Sequence, residues 1–249
     1  MKNYKFVIQY EGTRYQGWQK QVSTENTIQG KSEGVLSKMV GKPVEIDGSG
    51  RTDAGVHAYG QVANAHFDTK LATKEIMEYV NRYLPEDIAV ISVEEAGERF
   101  HARLNASEKT YLYRVMCSDV PHIFDRRYVY VMPKALDIKA MEQAAKLLKG
   151  THDFKGFSTK KKMKKSTVRT ITDIQIKKVG DEIQFLYKGN GFLYHMVRIL
   201  TGTLLEIGRG ERSIDSIHDI FESKNRELAG ELVPGKGLTL VEVKYENER

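Results

Sequence analysis

The chain has 249 residues, 40% of them hydrophobic, with 5 prolines, which excludes a disordered or fibrous protein and leaves material for one large domain or two intermediate ones. Cys117, the single cysteine, builds neither an internal disulfide nor a multi-cysteine zinc site, and no stretch has the length of a membrane span or the apolar core of a signal peptide. The expectation is a cytoplasmic chain without metal or redox chemistry, and a formal net charge of +6 with a pI near 9.1 favours a polyanionic partner.

In chain order, Tyr4, Phe6, Ile8 and Tyr10 alternate with more polar neighbours and predict a half-buried strand. Ile28, Val35, Leu36 and Met39 fit one helix face, which Gly30 and Gly34 weaken. A strand is expected over residues 61–67, then a helix from Thr73 that must end before Pro85, because the residue preceding a proline disfavours helical backbone. Residues 88–93 predict a third strand. The pattern restarts near Glu108 with a strand over 110–116 and a helix over 138–148, for which Asp137 is the N-cap and Gly150 the stop. Alternating segments at 169–179 and 182–188 meet at Gly180-Asp181, a hairpin signal. Past Gly189-Asn190-Gly191 a long apolar helix is expected from Leu193 to Ile207, stopped by Gly208; a shorter helix over 214–221 and a strand over 238–245 close the chain. The second half echoes the first. This predicts an α+β protein of two related units, residues 1–105 and 106–249, meeting on one sheet.

The densest unusual segment runs from Gly48 to Ala58, where Gly48, Gly50 and Gly55 surround a single carboxylate, Asp53. Glycines at such density permit positive φ and close approach of a substrate to the chain. A plain capped turn is the competing reading. Arg51, two residues away, is placed to brace the loop, meet a phosphate or favour the ionised carboxylate. In the long apolar helix Arg198 stands among Met196, Val197, Ile199 and Leu200, with no other charge before Glu206. Either it snorkels to solvent or it has an acceptor, since breaking a buried ion pair costs about 3 to 5 kcal/mol. Asp53 is the acceptor we expect. Tyr111 and Tyr113, two apart on a strand, face one way and are candidates for base stacking or for the core.

Between residues 154 and 170 stand Lys155, Lys160, Lys161, Lys162, Lys164, Lys165 and Arg169, with no acid. A solvated loop and a phosphate-tracking arm are both compatible with that run. Gly30-Lys31-Ser32 imitates a phosphate-binding loop, but Glu25 replaces the glycine required five residues earlier, so no nucleotide cofactor is expected. His57, His66 and His101 lack a ligand-like spacing.

The segment from Gly50 to Ala58 resembles the catalytic segment of the tRNA pseudouridine synthase A family. Tyr10-Glu11-Gly12, Tyr15-Gln16-Gly17-Trp18-Gln19, Leu84-Pro85-Glu86-Asp87-Ile88, Phe100-His101-Ala102-Arg103, Lys109-Thr110-Tyr111-Leu112-Tyr113 and residues 192–202 match that family in the same order. The stretches near Gly30 to Gly34 and Leu232 to Lys236 depart from it. The resemblance implies two ferredoxin-like or RRM-like units sharing an extended, mainly antiparallel sheet, with helices on one face and a basic RNA-binding cleft, a homodimer, and tRNA as substrate at positions 38 to 40 of the anticodon stem-loop. It makes Asp53 the catalytic aspartate, Arg198 its ion-pair partner and Tyr111 the ring on the target uracil, with Arg51 helping to displace the nucleotide. Thr52, His57, Arg103, Tyr113 and the basic segment are the further expected RNA contacts. Isomerising uridine breaks the bond from ribose C1′ to N1, rotates the base and rejoins it through C5, with no redox change and no cofactor demanded. A non-catalytic RNA-binding module is the alternative.

Overall fold

The computed structural model describes residues 1–133, 135–162 and 165–246. It divides into two compact units, residues 1–107 with 239–249, and residues 108–238. The last strand, expected in the second unit, belongs instead to the first.

In the first unit β1 (Lys2–Tyr10) lies between antiparallel partners β3 (His57–Phe67) and β4 (Ile88–Ala96). The alternation in β1 is that of burial: Tyr4, Phe6, Ile8 and Tyr10 are buried and the residues between them half-buried. β2 (Asp47–Gly48) pairs with one end of β3 and β10 (Leu238–Tyr245) runs parallel to the other, at Thr239–His57 and Leu240–Ala58. That parallel pair is the return of the chain end to this unit. Between the Ile8–Gln61 and Tyr10–Ala58 pairs β3 carries one extra residue, a bulge next to the segment that holds Asp53.

Two helices complete the unit. α1 (Ile28–Val40) starts where the Thr27 side chain accepts from the Gly30 amide and ends at Gly41 with φ 74°, so both termini carry standard caps that offset its internal glycines. Ile28 and Leu36 are buried, while Val35 and Met39 are only half so. α2 (Thr73–Tyr83) buries Ile76 and Val80 and stops before Pro85 as expected.

In the second unit β5 (Ala106–Cys117) pairs antiparallel with β9 (Glu182–Gly189), β9 with β8 (Val168–Val179) and β8 with β7 (Gly150–Asp153), while the short β6 (Tyr130–Met132) lies parallel to β5. β8 and β9 are joined by a two-residue turn with Gly180 at φ 61°, the expected hairpin. α3 (Ile138–Leu148) is capped by Asp137, whose carboxylate accepts from the Ala140 amide at 3.0 Å. α4 (Met196–Gly208) is buried on nearly every side, which explains its lack of a polar face. It begins three residues later than expected, because His195 stands in left-handed backbone at φ 64°. α5 (Ser216–Ser223) follows. Strands paired mainly antiparallel, with helices packed beside them in each unit, make the protein α+β. No helix among the described residues is long and apolar enough to cross a membrane.

Candidate active site

Asp53 opens a tight turn directly before β3. Its carbonyl accepts from the Val56 amide at 3.2 Å, and Gly55 takes φ 75° at the third position of the turn, where a type II turn demands positive φ. The other two glycines of the segment have no positive φ. Gly48 is required for space instead: a Cβ there would sit 2.5 Å from the Trp18 ring.

The turn is braced from several directions. The Trp18 amide donates to the Thr52 carbonyl at 3.0 Å, and Gly17 approaches so closely at φ 89° that a Cβ would lie 2.5 Å from the same oxygen. One residue further on, the α1 amides of Ile28 and Gln29 donate to the Gly17 and Trp18 carbonyls, so the Tyr15 to Trp18 segment links the helix start to the loop. Beneath it, the buried Gln61 amide donates to the Gly50 carbonyl at 2.8 Å and to the Tyr10 hydroxyl at 3.4 Å, and its carbonyl accepts from Ser49 Oγ at 2.6 Å. Having accepted from Gln61, Tyr10 has its proton for Thr52 Oγ1 at 2.8 Å. Burial raises the Tyr10 phenol far above its ordinary pKa, so it remains a neutral hydroxyl. A buried network with its partners met makes for one well-defined loop conformation rather than a pliable one.

Thr52 and His57, expected as RNA contacts, are committed to this frame. Thr52 is buried with its hydroxyl on Tyr10. His57 is buried too, and its Nδ1 accepts from the Gly12 amide at 3.0 Å; that leaves the ring neutral with its proton on Nε2, although Glu11 Oε1 lies only 3.5 Å from Nδ1. Arg51 and Arg103, by contrast, present exposed side chains. Partial burial of the Arg103 guanidinium and the nearby Arg51 charge both lower its pKa, with Asp47 working the other way, so two like charges are held together at this surface.

In the second unit both strand tyrosines are buried, Tyr113 the more completely. Tyr113 is fully buried, its hydroxyl donating to the Pro234 carbonyl at 2.8 Å and its ring pressed on Gly237. Burial raises its pKa far above the usual phenol value. It is a core residue, and the expectation that it contacts RNA is corrected accordingly. Tyr111 is 8% exposed and meets Phe192 edge to face at 5.2 Å. Arg198 is half-buried in the first turn of α4, and its Nε donates to the Val233 carbonyl at 2.7 Å.

Lys160, Lys161, Lys162 and Lys165 are all exposed; Lys164 lies outside the described residues. The base of their loop is tied. The Phe154 amide donates to the Thr167 carbonyl at 3.1 Å, and Asp153 accepts from Thr167 and is paired with Lys224 at 2.8 Å. Arg169, counted with the basic run, turns its guanidinium onto the Ser166 and Val168 carbonyls at 2.9 and 2.6 Å, and burial lowers its pKa. Tyr10, Trp18 and Gln61 are the loop's supports that sequence reasoning missed. The signal available was the lone tryptophan of the chain beside Gly17, which marks a packing anchor without naming what it anchors.

The family model described as tRNA pseudouridine synthase matches residues 6–105 and 144–246. A protein of Bacillus sp. (strain KSM-64) named tRNA pseudouridine synthase A is 51% identical over 92% of this chain and 94% of its own. One of Bacillus cereus (strain ZK / E33L), named tRNA pseudouridine synthase A 2, is 45% identical over 98% of this chain and all of its own. Among solved structures, a chain of a Cbf5-Nop10-Gar1 complex is matched over 82% of this chain and 45% of that one, at 13% identity and a TM-score of 0.35. With the family match spanning most of the sequence and relatives aligned almost end to end, the chain belongs to the tRNA pseudouridine synthase family.

Proposed function

We propose that the protein isomerises uridine to pseudouridine in tRNA, at positions 38 to 40 of the anticodon stem-loop, with Asp53 as the catalytic carboxylate. The observation that carries this reading is a carboxylate at the head of a turn held by hydrogen bonds at Gly50, Thr52 and Val56, so that its approach to a substrate is set before binding. The carboxylate assists cleavage of the C1′–N1 bond; the base rotates within the site and C5 takes N1's place on C1′. C5 loses its proton and N1 gains one, so product and substrate are isomers.

Arg198 and Tyr111 serve the same reaction, Arg198 as the cation that favours the ionised carboxylate and Tyr111 as the ring on the displaced uracil. Arg51 and Arg103 meet phosphates next to the target. The exposed lysines beyond Phe157 follow the backbone of the tRNA at longer range. The protein acts as a homodimer in the cytoplasm. Sedimentation at micromolar concentration tests the dimer, and a monomer there removes that part of the reading.

The test of the function is incubation with unmodified tRNA followed by positional mapping of pseudouridine, with wild type and Asp53→Asn in parallel. Modification confined to the anticodon stem-loop and absent with Asp53→Asn is the expected result. An active Asp53→Asn protein overturns the assignment of the carboxylate, and an unmodified tRNA after incubation with wild type overturns the function.

A further inference from the structure

At the entrance to α4 the chain takes a conformation that few residues with a Cβ adopt. His195, a residue with a Cβ, takes left-handed backbone at φ 64° and ψ 2°. Only Lys224 shares a positive φ among the described non-glycine residues, and Lys224 ends a helix, where such backbone is common. At His195 the conformation opens a helix instead, and it is maintained by contacts from outside: the ring Nδ1 shares a hydrogen bond with Thr159 Oγ1 at 2.8 Å, and Ser158 Oγ donates to the Tyr194 carbonyl at 3.0 Å.

The consequence is an aromatic pair at the surface. The Tyr194 and His195 rings stack with centroids 3.7 Å apart and 26° between planes. Tyr194 nonetheless remains 53% exposed. A large aromatic ring backed by a second ring and left open to solvent is a prepared stacking surface, because its side-chain freedom has already been restricted. Its surroundings define the ligand. Ser158 and Thr159, which hold the pair, lead directly into exposed Lys160, Lys161 and Lys162, and the Lys160 amide donates to Ser158 Oγ. An open π face beside a cationic arm fits a nucleotide with its phosphate, not an acidic peptide, which would leave the ring unused.

We propose that Tyr194, backed by His195, is a base-stacking platform for one unpaired or unstacked nucleotide of the RNA substrate, separate from the uridine being isomerised. It rests on the reading of the protein as a tRNA-modifying enzyme. It adds a binding residue to that substrate's grip. Ser158 and Thr159 are positioning residues for it.

The test compares Tyr194→Ala, Tyr194→Phe and Tyr194→Trp on unmodified tRNA. Removing one base–ring stack corresponds to roughly a ten-fold rise in Kd and KM. For Tyr194→Ala that rise is expected with kcat and thermal midpoint unchanged, while Phe and Trp keep wild-type affinity. Repeating the binding with tRNAs carrying a single abasic nucleotide at successive loop positions identifies the partner: at one position wild type and Tyr194→Ala should bind alike. Unchanged affinity in Tyr194→Ala, failure of Phe to restore it, or an abasic series in which no position absorbs the loss would each overturn the platform. Pseudouridine formation by wild type in the same assay keeps that failure distinct from failure of the functional reading.

Discussion

From Gly48 to Val56 the chain is met by Tyr10, Trp18 and Gln61, which take hold of its carbonyls and hydroxyls from other segments, while Gly48 is pressed on Trp18 and Gly55 is locked in a turn. Among the described residues from Ser158 to Thr167 the hydrogen bonds gather at the two ends, on Tyr194 and His195 on one side and on Phe154 and Asp153 on the other, while the described lysines between them stand in solvent. Beyond Gly48, the end of β2, the described residues of both are polar connections without regular structure. The difference fits the roles proposed for them: a group that attacks or stabilises one atom has to be placed within fractions of an ångström, whereas a charge that attracts phosphates works through a long-range field. Rigidity is therefore built where chemistry is local, and tethering suffices where the interaction is long in range.

The largest effect is expected from the braced side. Asp53→Asn preserves shape and removes the charge; pseudouridine formation should fall by about 10² to 10⁴-fold or more, with tRNA affinity kept, as read by product mapping and a filter-binding titration. A comparable fall in affinity would mean that the carboxylate holds RNA instead of acting on it. On the tethered side, replacing Lys160, Lys161, Lys162 and Lys165 by glutamine should weaken tRNA binding strongly at low salt and little at high salt. The slope of log affinity against log salt should shrink by about 0.7 to 0.9 for each phosphate that a lysine no longer neutralises, with kcat unaltered. An unchanged slope would reduce the lysines to a solvated surface.

Two smaller effects sharpen the contrast. At Gly12 a Cβ would sit 2.0 Å from the Val56 carbonyl oxygen, so Gly12→Ala must displace the end of the Asp53 turn. A cost of about 1 to 3 kcal/mol, visible as a lower thermal midpoint, should come with a drop in kcat. Full activity at a lowered midpoint would show that the turn does not need its brace. At the tether, burial alone would raise the Asp153 carboxyl, but its bonds to Lys224, Thr167 and the Lys155 amide outweigh that and hold its pKa below the ordinary 3.8. A carboxyl with a depressed folded pKa contributes stability that is present above 3.8 and fades as pH falls through the lower folded value. The difference between wild type and Asp153→Asn in urea midpoint should accordingly be small at neutral pH and shrink in acid below that point.

Most long elements were legible because their signals are local. Tyr4 to Tyr10 alternate with period two, Asp137 and Gly150 bracket α3, and Gly180 marks the β8–β9 turn; each requires only neighbours in sequence. β2, β6 and β7 were not legible, since two to four residues are too few to show a period. The start of α4 was misplaced because nothing local requires His195 to adopt positive φ; its ring is bonded by Thr159 from 36 residues away. The motif around Asp53 could be singled out, but its glycines suggested freedom where the fold uses two of them for contact and for a turn.

What the sequence determined by itself was the set of reactive groups and the periodicities that build the strands and helices, together with the resemblance carried by the motifs around Asp53, Tyr111 and Arg198. Tertiary structure alone decided how deeply each of those groups is buried and what it bonds. Period two places Tyr111 and Tyr113 on one side of a strand, yet burial depends on what lies across from them, and Pro234 and Gly237 close over Tyr113. His57 likewise ends against the Gly12 amide because two segments 45 residues apart are brought together by sheet pairing, a consequence of global packing that no local pattern of residues encodes.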